Sequence, residues 1–468
     1  MNFLKDKKFW LTLSLAGLLT VFFCLASNFS SLTLLFFLIF LLVLLFLKYP
    51  IIGIYLMAFL YPFNYLEASY DKFNVPLVDL IALVLFITWV IRSLYLHLEN
   101  KQKISLKNFP AWIFMLFFIG AGAVSLLNVE SSALMASVKF ILRPMLFFYL
   151  MFVILPFNII DSFKKLYNTL NVMFVLGVGL ALMGIWSFIF PPYYVELRRA
   201  VPLSVFGYYP LGTNHNLLAE VFVALMPFAL ILFWREKDVF LKNIYLLGAF
   251  LMGGVNLLTL SRAGWLALIF QLLILLALKY KGQFKKIFSS FFSYLLLALL
   301  IPLAYLVYQF ATTGVVIGAT LNRMQLIEGA LFLFREHPFI GNGPGTFISA
   351  LEGMRWYIIQ YGEPLEAHGF IFKTLPELGI LGTLAFLALL VYIFYALLKG
   401  YNNIKLKPQY ANLVLGMILA VVGVVVFQVF GTGYYMAKLW LPIGLALASL
   451  KFCWPKFTEK IIYDKRKN

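Results

Sequence analysis

Charged side chains are scarce in this chain. Asp, Glu, Lys and Arg together make up 12% of its 468 residues, against about a quarter in a soluble domain. That scarcity excludes a cytosolic enzyme and a soluble nucleic-acid binder. Cysteine is scarcer still, with only Cys24 and Cys453, which excludes a disulfide scaffold. The two cysteines do not match metal-site spacing either. The predicted topology puts them on opposite faces of a membrane, so no disulfide is expected. Acidic residues number 19.

Apolar residues fill the space, at 63% of the chain. They fall into runs of about 20 residues, the length that spans a bilayer. Candidate runs lie at 9–27, 31–47, 49–63, 75–95, 109–128, 132–157, 167–190, 213–234, 243–260, 263–280, 284–311, 368–398, 410–429 and 433–450. The predicted fold is therefore an all-α integral membrane protein, a polytopic bundle of about 12–14 transmembrane helices. The first run reads as a retained span, not a cleaved signal peptide, because a second run follows at once. The run at 49–63 is short enough to be re-entrant.

Placing the N-terminus in the cytoplasm and alternating the spans puts 26 of the 37 Lys and Arg residues in inner segments and seven in outer ones. This obeys the positive-inside rule and makes both termini cytoplasmic. Six of the seven outer cations are arginines: Arg198, Arg199, Arg262, Arg323, Arg335 and Arg355. The inner set is almost all lysine. Topology needs only positive charge, whereas arginine is favoured where phosphate or carboxylate is held by a planar fork. Nine outer acidic residues remove any general positive field, so the arginines act as individually placed groups, for phosphate or for surface pairs.

Two outer connections are long, 191–212 and 312–367, and long loops carry function. The first holds Arg198 and Arg199 and leads into Gly212-Thr213-Asn214-His215-Asn216. The second holds an amphipathic helix near 321–336 and then Gly341-Asn342-Gly343-Pro344-Gly345. That glycine run either bends N–H groups toward an anion or makes a tight turn; it lacks the Lys-Ser/Thr of a P-loop. His215 and His368 each open a span at its outer end, where a neutral imidazole accepts a proton near pH 7 or serves as an interfacial hydrogen-bonding group. Arg262 sits in a turn of about three residues between two spans. Charges within spans are costly: Lys139 and Arg143 share a helix face, Lys373 and Glu377 are spaced to pair, and Asp79 and Glu220 are isolated in sequence. These groups line a polar cavity or pair with one another. No paired carboxylates or Asp-x-Asp run occurs in any outer segment, which argues against a metal-bound nucleotide-sugar donor.

The stretch Ala367-His368-Gly369-Phe370 through Lys373-Thr374-Leu375-Pro376-Glu377-Leu378-Gly379-Ile380-Leu381-Gly382 resembles the His-x8-Glu-x-Gly-x2-Gly segment of the O-antigen ligase and polymerase superfamily. Thr213-Asn214-His215-Asn216-Leu217-Leu218-Ala219, Ser261-Arg262-Ala263-Gly264, and Arg323 through Gly345 are similar to three further family segments, in the same order. One departure is Gly369, where the family often has Asn. The resemblance divides the chain into N-terminal transmembrane helices (1–190), a family-like catalytic core (191–398) and C-terminal helices with a basic cytoplasmic tail (399–468). It implies a metal-independent and cofactor-free glycosyltransferase at the periplasmic face of the bacterial inner membrane. Such an enzyme moves a glycan from an undecaprenyl-pyrophosphate carrier to lipid A-core (a ligase) or to another carrier-linked glycan (a polymerase). By the resemblance, His368 is the base for the acceptor hydroxyl and Arg262 binds the pyrophosphate leaving group. Arg198 or Arg199 is a second phosphate contact, and Asn216, Arg323 and Gly343 complete substrate binding. The partners implied are donor, acceptor and membrane lipids, with no nucleic acid. A lipid-linked glycan flippase or secondary transporter is the rival of a different class. It predicts Arg143, Asp79 and Glu220 converging at mid-membrane; the enzyme predicts Arg262, His368 and Arg198 or Arg199 in one outer cavity.

Overall fold

The computed structural model describes residues 31–70, 73–100, 109–192, 195, 197–280, 308, 314–404, 407–431 and 433–453. Helices account for nearly all of it. They are α1 (Ser31–Lys48), α2 (Pro50–Leu60), α3 (Leu77–Asn100), α4 (Trp112–Ser125), α5 (Leu134–Ile159), α6 (Phe163–Ile189), α7 (His215–Arg235), α8 (Val239–Leu258), α9 (Arg262–Lys279), α10 (Gly314–Glu336), α11 (Phe347–Glu352), α12 (Arg355–Tyr361), α13 (Phe370–Ile404), α14 (Pro408–Phe430) and α15 (Ala437–Cys453). One antiparallel hairpin, β1 (Glu67–Tyr70) with β2 (Phe73–Pro76), is the only sheet among the described residues.

Eight of these helices are long and apolar enough to cross a membrane. The chain is an all-α polytopic membrane protein. Most predicted runs coincide with helices to within a few residues. The runs at 9–27 and 284–311 lie almost entirely outside the described residues. The 49–63 run is a helix of 11 residues, too short to span 30 Å at 1.5 Å per residue. Residues 314–367 are folded: α10, α11 and α12 close over a small core of their own, with Leu326, Leu333, Phe347, Leu351 and Tyr357 buried. On α10 the packed face is Leu326, Ala330 and Leu333. Leu321, Met324 and Leu331 stay exposed.

The helix starts are written in the sequence. Ser162, Asn214, Asp238 and Ser261 each accept a hydrogen bond from a backbone N–H in the first turn of α6, α7, α8 and α9, satisfying donors that no helix can satisfy for itself. Pro144 removes a donor inside α5, and the helix widens there into π-type turns over Ile141–Phe147 and Leu150–Ile154. The bundle centres on α7 and α14, whose side chains are buried nearly all round and which pack on each other and on α8, α9 and α15.

Helix α13 breaks at Gly379, whose backbone (φ 65°, ψ −168°) is closed to other residues. The break frees the carbonyls before it and the N–H groups after it. The glycine-rich loop takes up both sets. Asn342 N donates to Pro376 O and Gly343 N to Glu377 O, each at 2.9 Å, while Ile380 N donates to Pro338 O at 2.9 Å and Leu381 N to Phe339 O at 3.2 Å. A Cβ on Gly379 would lie 2.3 Å from Phe339 O. The two glycine motifs, 341–345 and 379–382, are thus halves of one joint that fixes the 312–367 segment to the bundle.

Several charges within the spans pair with one another. Arg143 Nη2 meets Asp79 Oδ2 at 2.7 Å, Lys373 Nζ meets Glu377 Oε1 at 2.9 Å and Glu366 Oε1 at 2.7 Å, and Lys438 Nζ meets Glu220 Oε2 at 3.0 Å.

Candidate active site

Four helix N-termini and one C-terminus meet at one end of the bundle: the starts of α7, α9, α13 and α15 and the end of α14. Between them lies a cavity of about 250 Å³ lined by Asn214, Asn216, Glu220, Arg262, Arg323, Glu366, His368, Gln428, Tyr435 and neighbouring residues. The N-terminal, positive ends of four helix dipoles border it against the one negative end of α14, a balance that favours an anion.

Arg262 owes its position to a tight turn. Asn256 lies in the last turn of α8 and its carbonyl accepts from Thr259 Oγ1 at 2.6 Å, and Ser261 N donates to Thr259 Oγ1 at 3.2 Å. Leu260 between them takes φ +56°, a costly conformation for a leucine. Ser261 caps α9 through Gly264 N and donates from Oγ to Asn216 Oδ1 at 2.7 Å. The starts of α7 and α9 are tied together by that bond, and Arg262, the first residue of α9, is held at a fixed depth. Its Nη1 donates to Thr320 Oγ1 of α10 at 3.2 Å.

Arg323 lies one turn further along α10. Burial, and after it the nearby Arg262 guanidinium, push the Arg323 pKa down from the ordinary arginine value. Among the described residues neither Arg262 nor Arg323 has a carboxylate within ion-pair distance. The two carboxylates that line the cavity are occupied: Glu220 by Lys438 and Glu366 by Lys373.

His368 ends the loop before α13. Gly369 follows it with φ +96°, and a Cβ there would lie 2.3 Å from Val429 O of α14. Backbone and packing both demand glycine, which gives the departure from the family's Asn a physical reason. Burial lowers the His368 pKa from 6.5, Arg323 lowers it further and Glu366 partly offsets them. The ring is neutral at pH 7 and holds a lone pair.

Of the residues expected from sequence, Arg262, Arg323, His368 and Asn216 come together in this cavity. Arg199 lies behind it, with Nη1 3.4 Å from His215 Nε2. Arg198 turns away: its Nε donates to Phe188 O at 3.0 Å and its guanidinium covers the Phe188 ring. Gly343 is buried against Val129, with its N–H committed to Glu377 O, so the glycine run is a structural joint and not an anion nest. Arg143, Asp79 and Glu220 fall into two separate ion pairs. Sequence reasoning missed Gln428 in the last turn of α14 and Gly433 and Tyr435 in the turn between α14 and α15. The signal was the pair of opposite charges inside spans, Glu220 and Lys438, whose contact bridges 218 positions.

The fold and cavity define a polytopic membrane protein with a cationic, histidine-bearing site at its helix ends. Residues 247–387 match the family model described as O-Antigen ligase. That segment, less than a third of the chain, contains Arg262, Arg323 and His368 and is similar to the O-antigen ligase superfamily. The comparison with curated proteins finds no match. Family members are membrane glycosyltransferase-like enzymes, ligases and polymerases, which implies lipid-linked glycan substrates.

Proposed function

We propose that this protein transfers a glycan from an undecaprenyl-pyrophosphate carrier to lipid A-core oligosaccharide at the periplasmic face of the inner membrane. The observation that carries the reading is the trio Arg262, Arg323 and His368: two converging guanidinium groups with no carboxylate partner among the described residues, beside a neutral imidazole. Two close cations are costly unless an anion joins them. A pyrophosphate supplies that anion, and its charge grows as the glycosidic bond breaks.

The reaction needs two things from the protein. A ring nitrogen of His368 takes the proton from the acceptor hydroxyl as its oxygen bonds to the anomeric carbon. The bond from that carbon to the pyrophosphate oxygen breaks, and the electron pair leaves with the carrier pyrophosphate. Arg262 and Arg323 stabilise that departing charge in place before the reaction begins. Arg199, steadied by His215, adds positive potential from behind. This displacement is direct and inverts the anomeric centre.

The test is transfer by the purified protein from carrier-linked glycan, with lipid A-core present or omitted. Product that requires the core supports the ligase reading. Lengthened carrier-linked glycan without the core makes the protein a polymerase using the same site.

A further inference from the structure

The cavity has a second polar wall, and the transfer chemistry above gives it no task. Glu220 Oε1 accepts from Gln428 Nε2 at 2.6 Å, and its Oε2 accepts from Lys438 Nζ at 3.0 Å. Gly433 N donates to Gln428 Oε1 at 2.7 Å. All three side chains are buried, yet Glu220 and Gln428 line the cavity. A buried ion pair is weak grounds for stability, since desolvating both charges offsets their attraction.

The pair is chemically suited to hydroxyl groups. Lys438 cancels the charge of Glu220, so the wall does not repel a phosphate bound at Arg262. The carboxylate has about four lone-pair sites, and two protein donors use two of them. The Gln428 amide has two N–H groups, of which Glu220 takes one. An acceptor and a donor side by side match adjacent sugar hydroxyls.

The opening to this wall depends on the lack of a side chain at Gly433. A Cβ there would lie 2.9 Å from Glu220 Oε1 and 3.0 Å from Gln428 Nε2. Gly433 begins a short 3-10 turn and has no positive φ, so its backbone suits alanine as well as glycine. The constraint at this position is space, not conformation. The cavity, at about 250 Å³, lies below the usual range for a drug-sized ligand and suits a single sugar ring, not an oligosaccharide.

We infer that Glu220 and Gln428, kept accessible by Gly433, read the hydroxyls of the one sugar attached to the pyrophosphate. This rests on the pyrophosphate reading of Arg262 and Arg323. The test is equilibrium binding to the purified full-length protein in detergent. The two probes are undecaprenyl pyrophosphate carrying its glycan and undecaprenyl pyrophosphate alone. The wild type is expected to bind the glycan-bearing carrier about tenfold more tightly, the worth of one good hydrogen bond to a charged group. Gly433→Ala is expected to erase that difference and leave affinity for the bare carrier unchanged. Glu220→Gln, checked for a retained thermal transition, is expected to reduce the difference as well. A preference for the glycan-bearing carrier that survives Gly433→Ala overturns the inference, as does equal binding of both carriers by the wild type. Failure of the bare carrier to bind overturns the pyrophosphate reading, and the inference falls with it.

Discussion

Ser261 Oγ donates a 2.7 Å hydrogen bond to Asn216 Oδ1, joining the first turns of α7 and α9 beneath the cavity. Ser261 is 1% exposed, so water does not substitute for the lost partner. Ser261→Ala also removes the cap on Gly264 N. Each loss costs about 1–2 kcal/mol. The expected outcome is a lower thermal midpoint in detergent and a transfer rate reduced about tenfold or more as Arg262 loses its fixed position. Ser261→Thr keeps the hydroxyl and is expected to restore most of both. Steady-state transfer beside thermal melting separates the two effects.

Arg262 is expected to resist conservative exchange. Lysine supplies charge but not the planar two-pronged contact, and removing one preorganised donor from a developing anion costs about 10²–10³ in rate. Arg262→Lys should lose activity on that scale while inserting normally. Wild-type rates in this variant would count against phosphate binding.

His368 sets the acid side of the rate profile. Its pKa lies below 6.5 because of burial and Arg323. Transfer therefore holds through neutrality and falls only as the pH drops through that lowered value and the ring takes up a proton. Removing the neighbouring cation in Arg323→Gln raises the His368 pKa, so the acid limb moves to higher pH. Removing the neighbouring anion in Glu366→Gln lowers it, so the limb moves to lower pH. Opposite shifts of the midpoint, whatever the absolute rates, are the check.

Gly369→Ala places a methyl group 2.3 Å from Val429 O at a position with φ +96°. The left-handed backbone alone costs about 1–2 kcal/mol for a non-glycine residue. Transfer is expected to be lost through displacement of His368. Insertion is expected to persist, because α13 and α14 remain apolar and long. Protease mapping of membranes beside the activity assay reads both.

Much of this architecture is legible in the sequence because the bilayer imposes it. Apolar runs mark the helices. The switch from lysine to arginine in particular segments points to Arg262 and Arg323. What was not legible depends on partners far apart in the chain. Glu220 reads as a costly charge isolated in sequence until the fold sets Lys438 3.0 Å from it. Gly343 reads as part of an anion nest or of a tight turn; only the break at Gly379 shows where its N–H goes. Arg198 and Arg199 are adjacent and chemically identical, and only the backbone path after α6 sends one to Phe188 and the other toward His215.

The central claim is tested most directly by transfer with the purified protein, using undecaprenyl-pyrophosphate-linked glycan, lipid A-core as acceptor, and a chelator in place of added metal. The account predicts glycan joined to the core with the anomeric configuration inverted, and no such product from His368→Ala. Undiminished transfer by His368→Ala, or no transfer to the core by the wild type, would contradict it.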